Sequence, residues 1–153
     1  MDDGSRDATP LVLEGMRHRW PQLRVVRLRR NTGHQNALTA GLHHARGEYV
    51  ASIDVDLQDP PETIAKMLRL AETSGLDVVH GIRADRSSDT PFKRWTARLY
   101  YRLVRRLAGT DIPTDAGDFR LLSRRAVDAL TELREHPPIY RLLVPWLGLP
   151  PAR

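Results

Sequence analysis

Hydrophobic and polar positions follow two different spacings along this chain. Four short runs rich in β-branched and other apolar residues predict β-strands, at residues 24–28, 49–53, 78–81 and 119–123. Three longer segments with apolar residues every three or four positions predict α-helices, at residues 10–20, 35–45 and 61–74. Because the short runs alternate with the longer segments, the pattern indicates an α/β fold in which helices connect the strands of a sheet.

A further helix, predicted over residues 92–108, carries two stripes of different character. The apolar stripe consists of Phe92, Trp95, Leu99, Leu103 and Leu107. The basic stripe consists of Arg94, Arg98, Arg102 and Arg105. One interpretation is an ordinary helix that packs on the core and exposes its arginines to solvent. The other is a helix that lies on a membrane, with apolar side chains in the interface and arginines on lipid phosphates.

Composition narrows the classes of function. A chain of 153 residues with 41% hydrophobic residues is long enough for one domain. The net charge of +5 and the pI near 10.2 indicate an anionic partner: nucleic acid, a nucleotide phosphate or an acidic membrane surface. The absence of cysteine excludes disulfides and thiolate metal sites, and the six histidines show no metal-site spacing. No apolar run reaches the roughly 20 residues of a membrane-spanning helix, and no secretory leader is recognisable. We therefore expect that the chain neither spans a membrane nor is secreted.

The clearest chemical signal follows the predicted strand at 49–53. Asp54 and Asp56 alternate with apolar residues, and Gln58 comes two positions later, just before a proline-marked helix start. Ligands of open α/β sheets bind at the carboxyl ends of strands. Two carboxylates this close need a counter-charge, which a divalent cation and a substrate diphosphate would provide. The alternative is a solvated turn that caps the next helix.

Several motifs occur in the order found in family 2 glycosyltransferases, at residues 2–5, 31–37, 54–61, 81–83, 92–95 and 115–121. Within that family the sequence resembles the polyprenyl-phosphate glycosyltransferases, the relatives of dolichyl-phosphate mannosyltransferase. The resemblance implies a GT-A-type, Rossmann-like fold with a mostly parallel sheet flanked by helices. It also implies transfer of a sugar from a nucleotide diphosphate-sugar to an undecaprenyl or dolichyl phosphate at the cytoplasmic face of a membrane.

The same resemblance assigns roles to individual residues. Nucleotide binding falls to Asp2, Asp3, Asn31, Gly33 and Asp54. Mg²⁺ or Mn²⁺ is expected on the oxygen atoms of Asp54, Asp56 and Gln58. Binding of the acceptor phosphate or the donor diphosphate falls to Arg83, Lys93, Arg94 and Arg120.

The catalytic residues implied by the resemblance are Asp56, through the metal, and Asp118. A phosphate monoester has its second pKa at about 6, so the acceptor is already ionised at neutral pH and needs little help from a base. Asp118 is therefore either a base or a residue that positions Arg120 or the acceptor.

The chain also departs from the family pattern. Relatives begin with a further strand and helix and continue into transmembrane helices, so we interpret residues 1–153 as a partial catalytic domain, truncated at both ends. We expect it to be cytoplasmic, peripheral to the inner membrane, and prone to form homo-oligomers through an open sheet edge.

Two alternatives stay open from the sequence. One is a family 2 transferase that acts on a soluble sugar or a polysaccharide end, against which residues 81–83 and the 92–108 segment argue. The other is a non-catalytic basic module that binds nucleic acid, but the sequence has no helix-turn-helix, zinc or aromatic RNA-binding signature, so we expect no nucleic-acid partner. UDP-glucose, UDP-N-acetylglucosamine and GDP-mannose all remain candidate donors.

Overall fold

Both helices and strands are present in the computed structural model, which describes residues 1–81, 118–133, 139–149 and 151–152. The helices are α1 (Thr9–Arg19), α2 (His34–His44), α3 (Thr63–Ser74), α4 (Arg124–Glu132) and α5 (Tyr140–Trp146). The strands are β1 (Tyr49–Ser52), β2 (Val78–His80), β3 (Arg120–Ser123) and β4 (Pro151–Ala152). The predicted α/β class is confirmed, and the first three predicted helices lie within two residues of their expected starts and one of their expected ends.

The strands form one sheet in the order β1-β3-β2-β4. Strand β3 is antiparallel to both β1 and β2, whereas β2 and β4 are parallel. The expected predominance of parallel pairing is therefore wrong for the described strands. β3 begins at the edge where β2 ends, since the Gly81 N–H donates to the Phe119 carbonyl at 3.0 Å, and it runs back between β1 and β2. A short apolar run predicts a strand but carries no information on its direction.

The predicted strand at residues 24–28 forms a single parallel bridge, between Asp2 and Arg27. The Asp2 N–H donates to the Val26 carbonyl and the Leu28 N–H donates to the Asp2 carbonyl, both at 2.9 Å. The chain then turns at Gly4, where φ is 73° and an added Cβ would lie 2.5 Å from the backbone carbon of Arg30. This close approach requires glycine and places residues 2–5 beside residues 30–33.

Apolar side chains cover both faces of the sheet. On one face, β2 and β3 contribute Val78 and Leu122 to a cluster with residues of α2, α4 and α5. On the other face, Val79 and Leu121 pack with Met67 and Ala71 of α3. Neighbouring residues of one strand thus enter opposite clusters, as the pleat of a strand requires.

Helix α1 lies on the surface, and none of its residues is buried. Its apolar side chains Leu11 and Val12 are exposed, as is Trp20 just after its end. Among the described helices, none combines the length and hydrophobicity that crossing a bilayer requires.

Candidate functional site

Polar side chains from separate sequence motifs meet at one edge of the sheet, where β1 ends. Ser52, the last residue of β1, is paired with Arg120, the first residue of β3. Beyond this pair, the Ser52 hydroxyl donates to the Asp118 carbonyl. The segment that contains Asp54 and the segment that contains Asp118 therefore leave the sheet side by side.

Asp3 connects the first motif to the start of α2. Its Oδ1 accepts hydrogen bonds from the Thr32 N–H at 2.8 Å and the Thr32 hydroxyl at 3.0 Å, and its Oδ2 accepts from the Gly33 N–H at 2.9 Å. These bonds, that from the Thr32 N–H foremost, hold the pKa of Asp3 below its ordinary value. The Asn31 side-chain oxygen also accepts from the Gly33 N–H, at 3.2 Å. Asp3, Asn31 and Gly33, three predicted nucleotide-binding residues, are thus brought together.

Asp2 is buried beneath this loop. Its Oδ1 accepts from the Ser5 N–H at 2.8 Å, and its Oδ2 lies 3.2 Å from the Arg27 Nε. Hydrogen bonds from Ser5, and to a smaller extent the charge of Arg27, keep the pKa of Asp2 below its ordinary value. The Asp2 carboxylate therefore holds the loop that carries Asp3.

Asp118 accepts hydrogen bonds from three side chains. Its Oδ2 lies 2.9 Å from His34 Nε2 and 3.3 Å from Gln35 Nε2, both at the start of α2. Its Oδ1 accepts from Arg120 Nη2. The carboxylate is therefore fixed from two sides, by the first turn of α2 and by a residue of β3.

Arg120 lies behind Asp118, with only 2% of the residue exposed. Its Nη1 donates to the Tyr140 carbonyl at 3.1 Å, so the guanidinium joins β3 to α5 as well as to Asp118. We predicted that Arg120 binds phosphate. In the structure Arg120 lies in the interior, with its guanidinium on Asp118 and on the Tyr140 carbonyl.

The histidine and glutamine of this network are the site residues that sequence reasoning missed. Gln35 also accepts from the Tyr140 N–H at 3.3 Å through its Oε1. The Tyr140 hydroxyl donates to the Thr39 hydroxyl at 2.8 Å, which ties α5 to α2 a second time. The position of His34 and Gln35 inside the 31–37 motif was the available signal. Asp118, however, lies 84 residues from His34, and no spacing rule connects the two residues.

The predicted metal ligands follow β1 in an exposed turn. Asp54 is half-buried, whereas Asp56 and Gln58 are exposed. The Gln58 N–H donates to Asp56 Oδ1 at 3.0 Å, and Leu57 between them has a φ of 62°. Within the described ranges, no three or more His, Asp or Glu side chains converge as a metal site. Carboxylate and amide oxygens are the types of ligand that suit a hard cation such as Mg²⁺ or Mn²⁺.

The remaining predicted phosphate ligands, Arg83, Lys93 and Arg94, lie outside the described residues, as does the helix predicted over residues 92–108. Their roles stay predictions.

Comparison with known proteins assigns the family. Residues 1–131 match Glycosyl transferase family 2. The chain is 40% identical over 148 residues to the uncharacterized glycosyltransferase YkcC of Bacillus subtilis (strain 168), an alignment that covers 97% of this chain and 46% of that protein. It is 38% identical over 148 residues to the bactoprenol glucosyl transferase of Shigella phage SfV, which covers 97% of this chain and 48% of the relative.

A prophage bactoprenol glucosyl transferase homolog of Escherichia coli (strain K12) is 36% identical, with the same coverage of 97% and 48%. The chain thus spans about half the length of these curated relatives. Both the family match and the alignments run through the loops that form the site at the end of β1, and this chain belongs to glycosyl transferase family 2.

Proposed function

We propose that this chain is the nucleotide-sugar-binding part of an enzyme that transfers a sugar to a polyprenyl phosphate. The observation that carries the proposal is the convergence of the 2–5, 31–37 and 118–120 segments at the end of β1, in a chain of this family. Relatives named bactoprenol glucosyl transferases support a lipid-linked acceptor and glucose as the transferred sugar.

On the donor side, Asp2 holds the loop that carries Asp3, and Asp3 in turn holds the loop in which Asn31 and Gly33 contact the nucleotide. Asp54, Asp56 and Gln58 hold Mg²⁺ or Mn²⁺, and Asp54 also contacts the nucleotide. When bound, the cation neutralises the donor diphosphate and stabilises it as the leaving group. Asp56 is exposed in the turn that follows β1.

In the transfer, an oxygen of the acceptor phosphate forms a bond to the anomeric carbon while the bond from that carbon to the diphosphate breaks. The nucleoside diphosphate leaves with the bonding electron pair. Because the acceptor is ionised at neutral pH, no base is required, and we assign Asp118 a positioning role. This agrees with a carboxylate that already accepts hydrogen bonds from three side chains.

On the acceptor side, Arg83, Lys93 and Arg94 bind the acceptor phosphate. The 92–108 segment places the domain on the anionic, cytoplasmic surface of the inner membrane, where a polyprenyl phosphate is embedded. Its arginine stripe supplies the charge that such a surface attracts.

Replacement of Asp56 by alanine tests the metal-dependent donor site. We expect Asp56→Ala to weaken binding of UDP-glucose in Mn²⁺ by about tenfold or more, since a charged metal ligand is lost. Asp128→Ala is the matched control, because Asp128 is an exposed aspartate on α4 that pairs with Arg124 at 3.2 Å, away from the end of β1. Equal affinity in both variants would contradict the role of Asp56.

A further inference from the structure

Asp118 holds an imidazole that is accessible from solvent. His34 is the first residue of α2, and its Nε2 lies 2.9 Å from Asp118 Oδ2. The His34 side chain is 54% exposed, whereas that of Asp118 is 14% exposed. The ring therefore lies between a largely buried carboxylate and the open edge of the candidate site.

The contacts of Asp118 determine which ring nitrogen carries the proton. A carboxylate held by the Arg120 guanidinium accepts hydrogen bonds, so the proton of this contact belongs to His34 Nε2. In the neutral ring the other nitrogen, Nδ1, then presents a lone pair. Among the described residues, the structure gives Nδ1 no hydrogen bond, so this acceptor is available to a ligand.

We infer that His34 is a donor-binding residue whose Nδ1 accepts a hydrogen bond from a hydroxyl of the nucleotide diphosphate-sugar, and that Asp118 positions it. This inference rests on the proposed function. The surroundings favour a hydroxyl over a phosphate, because Asp3 and Asp118 place two carboxylates at this end of α2 and a nitrogen lone pair repels phosphate oxygens. A ribose or a hexose supplies such hydroxyls.

Two substitutions separate a donor-binding role from a structural one. In His34→Gln the amide nitrogen occupies approximately the place of Nε2, so the bond to Asp118 is retained while the Nδ1 acceptor is lost. In His34→Asn the polar atom occupies approximately the place of Nδ1, and the bond to Asp118 is lost. We expect His34→Gln to melt like the parent chain and to bind donor about three- to tenfold more weakly, the effect of one hydrogen bond. If His34 is merely structural, His34→Gln should bind the donor as tightly as the parent chain does, and His34→Asn should have a lower melting temperature.

Titrations of the parent chain and His34→Gln with UDP and with UDP-glucose identify the hydroxyl. Weaker binding of both ligands by the variant assigns the contact to the ribose, and weaker binding of UDP-glucose alone assigns it to the hexose. Equal affinity of parent and variant for both ligands overturns this inference and leaves the proposed function intact. A parent chain that binds neither ligand overturns the proposed function and the inference with it.

The role of Asp118 has its own readouts. Long-range proton–nitrogen NMR correlations of the parent should show the His34 ring protonated at Nε2, and Asp118→Asn should reduce the share of that tautomer. A double variant with His34→Gln and Asp118→Asn should bind UDP-glucose no more weakly than His34→Gln alone, because both substitutions act on the same donor contact. A ring protonated at Nδ1 in the parent, or losses of affinity that add, would overturn the assignment.

Discussion

At the scale of single residues, a buried carboxylate joins β2 to α4. Asp77 precedes β2, and both its oxygens accept from Arg125, with the Arg125 Nε 3.1 Å from Oδ1. The Ser123 hydroxyl, which also caps α4 by accepting from the Ala126 N–H, donates to Asp77 Oδ1 at 2.6 Å. The hydrogen bonds from Arg125, and then that from Ser123, hold the pKa of Asp77 below its ordinary value of 3.8.

This depressed pKa predicts a loss of stability in acid. The carboxyl of Asp77 binds its proton more weakly in the folded than in the unfolded chain. Its contribution to the free energy of unfolding is therefore present above pH 3.8 and is lost as the pH falls through and below that value. Asp77→Asn should therefore lower the free energy of unfolding at pH 7 and flatten its fall between pH 5 and pH 3, measured by urea unfolding. Asp128→Asn, an exposed aspartate on α4, is the control. An identical pH dependence in Asp77→Asn and the parent would contradict this role.

Part of the candidate site could be predicted from the sequence at the level of single residues. The 2–5 and 31–37 motifs predicted that Asp3, Asn31 and Gly33 belong to one site, and the structure brings them together. The interior position of Arg120 and the contacts of His34 and Gln35 with Asp118 were not predictable, because they depend on how α2 packs beside β3. Sequence motifs indicate which residues share a function, whereas tertiary packing determines which of their side chains are in contact.

At the scale of elements, periodicity predicted helices better than it predicted the sheet. Helix α3 was expected over residues 61–74 and found at Thr63–Ser74, since its repeat and the left-handed Gly75 mark its extent. The segment at 24–28 has the composition of a strand, but its partner turns away at Gly4 after one bridge. The direction of β3 likewise follows from the chain's return beside β2, which local composition does not encode.

The helix predicted over residues 92–108 supports a prediction about membranes, although it lies outside the described residues. Glutamine at the four positions of its basic stripe, Arg94, Arg98, Arg102 and Arg105, should release the chain from anionic liposomes and leave donor binding intact. Each basic residue near such a surface contributes about 1 kcal/mol, and salt should weaken the attraction.

The control for this experiment changes the same charge elsewhere. It replaces four exposed arginines of the described chain by glutamine, namely Arg17, Arg19, Arg24 and Arg46. Co-sedimentation with liposomes should survive in the control and disappear in the stripe variant. If both variants lose liposome binding equally, the attraction depends on net charge alone. If the parent chain does not bind liposomes, the interpretation of the segment as an ordinary core-packing helix is favoured.

At the scale of the whole molecule, the edge of the sheet predicts self-association. Within the described strands, β1 pairs on one side alone, with β3. An open strand edge offers backbone donors and acceptors to a second chain. Sedimentation velocity should therefore show a mass that rises with concentration, and a monomer over the whole range would contradict a homo-oligomer.

The proposed function depends on the donor site at the end of β1, and one titration tests that site most directly. UDP-glucose is titrated calorimetrically into the parent chain in Mn²⁺ and again in EDTA, beside a titration with duplex DNA of equal phosphate concentration. We predict saturable binding of UDP-glucose that EDTA abolishes, and no saturable binding of DNA at physiological salt. Equal affinity for UDP-glucose in EDTA, or preferential binding of DNA, would contradict it.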